Sequence, residues 1–139
     1  MAEDRLAFEL VSPERVILAT EAEMVVVPGI EGDFGVLPLH APVVSLLRPG
    51  VVRVYEGSDV KTRLFVAGGF AEVNERGLTV LAEHAEAVDR IDPAEARQRL
   101  KNAEEDLADA KEPSEDERRR LERAIEIARA RLEAVENPT

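Results

Sequence analysis

From Leu6 to about Leu81 the apolar residues fall in short runs separated by turn-forming clusters; beyond Val88 they recur every three or four residues. The first pattern is that of short β-strands and the second that of amphipathic helices. Strands are expected at Leu6–Val11, Val16–Glu21, Glu23–Pro28, Phe34–Leu37, Val43–Leu47, Gly50–Glu56, Lys61–Val66, Gly69–Asn74 and Leu78–Leu81. Alternation is visible in Val52-Arg53-Val54-Tyr55 and in Thr62-Arg63-Leu64-Phe65-Val66, which places polar side chains on one face and apolar ones on the other. Met24-Val25-Val26-Val27 reads instead as a strand buried on both faces. Ser12-Pro13-Glu14, Pro28-Gly29, Gly57-Ser58-Asp59 and Asn74-Glu75-Arg76-Gly77 supply turns, the last three as hairpin tips.

Two segments break the strand pattern in informative ways. Glu31–Gly50 is too apolar for an ordinary loop and too interrupted by Gly and Pro for a helix or a long strand. Gly32 and Gly35 can supply positive-φ positions, while Pro38 and Pro42 fix φ and donate no backbone hydrogen bond, so the chain turns sharply here with apolar side chains still packed. Gly68-Gly69 lies inside a strand run, the mark of a bulge, a kink or a close backbone approach. A phosphate-binding glycine loop is the functional alternative, but neither a Lys-Ser/Thr pair nor a helix follows.

Near Ala82 the composition shifts to Ala, Glu, Arg and Leu. Asp92-Pro93-Ala94-Glu95 is a helix start: Asp92 caps, Pro93 suits the first position and Glu95 favours the N-terminal dipole. This helix is expected to run to about Lys111. Pro113 ends it, and Ser114 with Glu117 three residues later forms a capping-box pattern opening a second helix that reaches about Val135. Ala96, Leu100, Ala103, Leu107 and Ala110 line one stripe of the first helix; Leu121, Ile125, Ala128, Leu132 and Val135 line one stripe of the second. The short connection makes an antiparallel hairpin, and the alanine-rich first stripe buries little apolar area per residue.

The chain of 139 residues carries 18 Lys and Arg against 29 Asp and Glu, a net charge of −11, which disfavours nucleic acid and anionic lipid as partners. It contains no cysteine, so disulfides, thiolate metal sites and cysteine nucleophiles are excluded together. No stretch approaches the roughly 20 apolar residues of a membrane span, so any membrane association is expected through other proteins. The first residues lack the features of a signal or transit peptide, which favours a bacterial or plastid-encoded product.

Material for catalysis is thin. The two histidines, His40 and His84, lie in no metal-ligand spacing, the serines occupy no nucleophile-elbow context, and the helical carboxylates read as solvated, ion-paired faces. No catalytic residue, metal ligand or cofactor is assigned. His40, between Leu39 and Ala41-Pro42, reads by composition as a half-buried turn residue.

The order Gly32-Asp33-Phe34-Gly35-Val36-Leu37-Pro38-Leu39-His40-Ala41-Pro42, followed by a short apolar run and Arg48-Pro49-Gly50, resembles the signature of the epsilon subunit of the rotary F-type ATP synthase, called delta in mitochondria. Phe65–Val73 and Leu78–Glu83 resemble the closing hairpins of the same family's sandwich. The resemblance implies an N-terminal antiparallel β-sandwich of about nine or ten short strands, residues 1–87, followed by a two-helix hairpin, residues 88–139. It further implies a non-catalytic central-stalk subunit at the cytoplasmic face of the bacterial membrane, linking the gamma subunit to the c-ring. By this resemblance Glu31, Gly32 and Asp33 face the polar loops of the c subunits, and His40, Ala41 and Pro42 contact gamma.

Two further properties of the family transfer only residue by residue. The nucleotide-binding motif of some bacterial members, Ile or Leu-Asp-x-x-Arg-Ala, corresponds here to Ile91-Asp92-Pro93-Ala94-Glu95-Ala96. Ile91, Asp92 and Ala96 match, but Glu95 stands at the arginine position, where a carboxylate repels phosphate; ATP binding is expected to be weak or absent. Inhibition of hydrolysis through contacts with the catalytic alpha and beta subunits would fall to Arg118, Arg119, Arg120 and Arg123, with Arg129 and Arg131 as further cations. The same helix read without the resemblance is a soluble one stabilised by pairs such as Glu115/Arg119 and Asp116/Arg120. The competing function is a free-standing ligand-binding β-sandwich module with a helical interaction appendage, and an uncharacterised hydrolase is a third.

Overall fold

A computed structural model describes residues 5–137. The chain divides into two compact units, Met1–Val88 and Asp89–Thr139. The first holds eight strands: β1 (Leu6–Val11), β2 (Val16–Ala22), β3 (Met24–Gly29), β4 (Gly32–Val36), β5 (Val43–Glu56), β6 (Asp59–Asn74), β7 (Gly77–Leu81) and β8 (Ala85–Ala87). They follow the order β2-β1-β7-β6-β5-β3-β4, with β8 pairing to β6. Every pairing is antiparallel except that of β1 with β7, so the sheet is mixed.

Four of the expected strands are two. Val43–Leu47 and Gly50–Glu56 form the single strand β5, and Lys61–Val66 and Gly69–Asn74 form the single strand β6. The apparent breakers sit near one another in the ladder but not face to face: Pro49 pairs with Ala67 and Leu47 with Gly69. Pro49 and the glycines fall within the same short stretch of the β5–β6 ladder, where a local irregularity is accommodated without ending either strand. Gly69 is required there, with φ at +133° and a Cβ that would lie 2.0 Å from the Leu81 carbonyl oxygen. Beyond this stretch, β6 pairs with β7 through Phe70–Asn74, and before it with β8 through Leu64–Val66. The Ala85-Glu86-Ala87 strand, three residues long, is too short for a pattern to show and was not expected from the sequence.

The curled sheet encloses one core. Leu6, Phe8 and Leu10 of β1 meet Val25 and Val27 of β3, Val52 and Val54 of β5, Val66 and Val73 of β6, and Leu78 and Val80 of β7. The two-residue alternation of β1, buried at Leu6, Phe8 and Leu10 and exposed at Ala7 and Glu9, is the sequence pattern realised.

The second unit contains α1 (Pro93–Asp109) and α2 (Glu115–Glu136). The Asp92 carboxylate accepts the Ala94 N–H at 2.9 Å, with Pro93 in the first turn. Ser114 and Glu117 complete a reciprocal capping box at the start of α2. Ala96 is buried, and Leu100, Ala103, Leu107, Leu121, Ile125 and Leu132 are half-buried along the expected stripes. Arg131 and Ala134 are also buried, which the apolar stripe alone did not indicate. The helices are cross-linked by Arg131–Glu95 at 2.8 Å, Arg97–Glu136 at 3.2 Å and Arg129–Glu104 at 3.6 Å.

Candidate functional site

The β3–β4 hairpin turns at Ile30-Glu31, where Gly32 takes φ +135° and the Ile30 N–H donates to the Leu46 carbonyl at 2.9 Å. That hydrogen bond ties the hairpin tip to β5. Arg48 of β5 reaches back to the Gly29 carbonyl and to the Asp33 carboxylate, and Arg53 meets the other Asp33 oxygen at 3.4 Å. Asp33 and Glu31 are both exposed, but Asp33 is engaged by two guanidinium groups at the surface of the sheet.

After β4 the chain makes a tight turn closed by the His40 N–H donating to the Leu37 carbonyl at 3.2 Å. His40 is half-buried, its Nδ1 2.6 Å from the Ala41 carbonyl oxygen, while Ala41 and Pro42 are exposed. The residues singled out from the sequence are not two separate patches. Glu31, Gly32 and His40 line one shallow depression with Val44 and Leu46, and His40 also borders a second one with Leu39 and Pro42.

Around these depressions lie large apolar side chains that sequence reasoning did not single out. Ile30, Leu37, Val44 and Leu46 are each more than half exposed. Val44 and Leu46 alternate along β5, Leu46 sits opposite Phe70 of β6, and Phe70 is itself 38% exposed. The signal was available: Val43-Val44-Ser45-Leu46-Leu47 is apolar on both parities, although a strand with one face on the core has no need of an apolar outer face. This end of the sandwich thus presents oily surface without reactive chemistry nearby. Among the described residues no group of three or more His, Asp or Glu side chains is arranged to hold a metal ion, and no helix is long and apolar enough to cross a membrane.

The residues of the nucleotide motif have structural occupations. Ile91 and Ala96 are buried, the Asp92 carboxylate caps α1, and the Glu95 carboxylate bridges Arg99 at 2.6 Å and Arg131 at 2.8 Å. Of the arginine cluster on α2, Arg119 pairs with Glu115 at 3.3 Å and with Asp116 at 3.8 Å, in place of the expected Asp116/Arg120 pair. Arg123 pairs with Glu126 at 3.1 Å. Arg118 and Arg120 are exposed on the same helix, whereas Arg131 is committed to Glu95.

Comparison with known proteins accounts for both units. The family model described as the beta-sandwich domain of the ATP synthase Delta/Epsilon chain matches residues 5–88, and the model for the C-terminal domain of the ATP synthase epsilon chain matches residues 92–139. The ATP synthase epsilon chain of Paramagnetospirillum magneticum is 47% identical over 132 residues, covering 95% of this chain and 98% of that one. That of Rhodospirillum rubrum is 49% identical over 127 residues, covering 91% and 93%. Among solved structures, a chain of the Euglena gracilis mitochondrial ATP synthase, in an assembly described as OSCP/F1/c-ring, superposes with a TM-score of 0.80 at 27% identity, covering 96% of this chain and 82% of that chain. With both domains matched in order along one polypeptide, this chain belongs to the ATP synthase epsilon chain family.

Proposed function

We propose that this protein is a non-catalytic rotor subunit of a proton-translocating F-type ATP synthase, held in the central stalk between the gamma subunit and the c-ring. The reading assigns residues 1–87 to docking and residues 88–139 to regulation. Its site is the cytoplasmic face of a bacterial membrane, where the protein is peripheral and membrane-associated only through the complex. The observation that carries it is the cluster of exposed Ile30, Leu37, Val44 and Leu46 at one end of the sandwich, a surface suited to a protein partner.

Glu31 and Gly32 are assigned to the c-ring side and His40, Ala41 and Pro42 to the gamma side. Asp33 holds the tip through Arg48 and Arg53, so its part in c-ring contact is to set the shape of the turn. The α2 arginines Arg118, Arg119, Arg120 and Arg123 are assigned to inhibitory contact with the catalytic subunits. ATP binding is weak or absent, because Glu95 occupies the position where a phosphate-binding cation would be needed and is itself held by Arg99 and Arg131.

Because the protein has no cysteine of its own, single cysteines introduced at Glu31 and His40 carry a unique cross-linker. Reconstituted with gamma and the c-ring, the Glu31→Cys protein is expected to cross-link to the c subunits and the His40→Cys protein to gamma. Failure of both, with a Glu9→Cys control equally unreactive, would overturn the docking assignment.

A further inference from the structure

We propose that the Arg99 and Arg131 guanidiniums form an oxyanion site in the helical hairpin and that the Glu95 carboxylate is its resident ligand, closing α1 on α2 without a soluble anion; this rests on the reading above that ATP binding is weak or absent. Glu95 lies in the first turn of α1, and its two oxygens are divided between the cations. Oε1 meets Arg131 of α2 at 2.8 Å, and Oε2 meets Arg99 of α1 at 2.6 Å. Among the described residues Arg131 is the buried charged side chain. A guanidinium taken out of water is tolerated where an anion meets it, and removing that anion is unfavourable. Arg99 is exposed and Glu95 half-buried, so the site opens to solvent on the Arg99 side.

The packing at this end of the hairpin gives the carboxylate its importance. The buried apolar side chains of the two helices are Ala96 and Ala134, which carry little area, whereas half-buried Leu107, Leu121 and Ile125 lie toward the turn between the helices. Closure at the Glu95 end therefore falls to charge: Glu95 with Arg131, flanked by Arg97 with Glu136 at 3.2 Å. The turn end is held by the chain itself and by the Ser114–Glu117 capping box. A hairpin joined covalently at one end and by ion pairs at the other opens from the second. Two guanidiniums so placed suit a planar carboxylate, and while Glu95 is present its charge repels any other anion. The internal ligand thereby makes closure of the hairpin independent of a soluble one.

Because the protein has no cysteine, spin labels on Gln98→Cys and Glu133→Cys read the open end and labels on Ala108→Cys and Glu122→Cys read the turn end, all four positions being exposed. The full-length protein is compared in sodium acetate and in sodium chloride of equal ionic strength, with ATP titrated separately. The parent is expected to show the closed distance at both ends in either salt and no response to ATP. Glu95→Ala is expected to raise the open-to-closed ratio at the Gln98/Glu133 end about tenfold in chloride, and acetate to reverse the change by filling the vacated space. Glu95→Gln, which keeps the size of the side chain and removes its charge, is expected to open the same end in both salts. Opening of Glu95→Ala that acetate does not reverse, or closure unchanged in both variants, overturns the internal ligand and leaves the reading on ATP standing. Separation at the Ala108/Glu122 end in both variants also overturns it, since Glu95 would then be needed for folding and not for closing one end. A parent that closes further on binding ATP overturns the reading on ATP and takes the internal ligand with it.

Discussion

The sandwich and the helical hairpin are built on opposite patterns of burial. In the sandwich, Leu10, Val25, Val27, Val36, Val52, Val66 and Val80 are fully inaccessible to solvent. In the hairpin, the buried apolar side chains among the described residues are Ile91, Ala96 and Ala134, and the helices are joined by ion pairs around a buried arginine. A fully buried valine or leucine contributes about 1.5–3 kcal/mol, whereas an exposed ion pair contributes about 0–1 kcal/mol. The sandwich is therefore the rigid body, suited to a fixed docking surface, and the hairpin is the element whose closure is weakly held and sensitive to salt.

The largest expected effect separates the two directly. Leu10→Ala should cost about 2–5 kcal/mol by urea unfolding, while Leu121→Ala, half-buried on α2, should cost under about 1.5 kcal/mol. Equal costs would erase the contrast. Gly69→Ala should come next, about 2 kcal/mol or more, because the added Cβ meets the Leu81 carbonyl at the irregular stretch of the β5–β6 ladder. Its unfolding curve tests whether that stretch is a fixed part of the sandwich.

On the hairpin, Glu95→Ala leaves the buried Arg131 guanidinium without this carboxylate. The cost should be about 1–2 kcal/mol, reduced from a fully buried pair because the Glu95 side chain is 38% exposed. Amide exchange should quicken across α1 and α2 and stay unchanged in β1 and β3. Ser114→Ala removes the capping box and should cost about 1 kcal/mol, confined to α2 in the same measurement.

The smallest expected effect is one of pH. The Arg5 guanidinium donates to the Glu56 carboxylate and holds it below the usual carboxylate range. A depressed folded-state value means that the pair stabilises the fold above the ordinary carboxylate range and that this contribution is lost as pH falls through the folded value. Glu56→Gln should therefore lower the melting temperature slightly at neutral pH, the difference from the parent vanishing in acid. A difference that grew in acid would contradict the assignment.

Much of this contrast was legible in the amino-acid sequence. The helix caps at Asp92 and Ser114 could be read because capping depends on one side chain and the backbone N–H two or three residues on. The number of strands could not, since Pro49 and Gly68-Gly69 look like strand ends until the register shows β5 and β6 pairing continuously past them, Pro49 with Ala67 and Leu47 with Gly69. Glu31, Gly32, His40 and Pro42, singled out from the sequence, line neighbouring depressions, but the detail around them was not legible. That Asp33 is gripped by Arg48 and Arg53 depends on a hairpin folding back on β5, and nothing local in Gly32-Asp33-Phe34 encodes it. Likewise Arg131 stands in a helix full of exposed charge, and only the packing of α2 on α1 distinguishes it from Arg129.

The central claim is that the β4–β5 end of the sandwich is the docking surface, and hydrogen–deuterium exchange on the full-length protein with and without the gamma–c-ring rotor tests it most directly. Binding is predicted to slow exchange across residues 30–46 and to leave Val16–Ala22 of β2 unchanged. Protection appearing in β2 while residues 30–46 exchange as in the free protein would contradict the account.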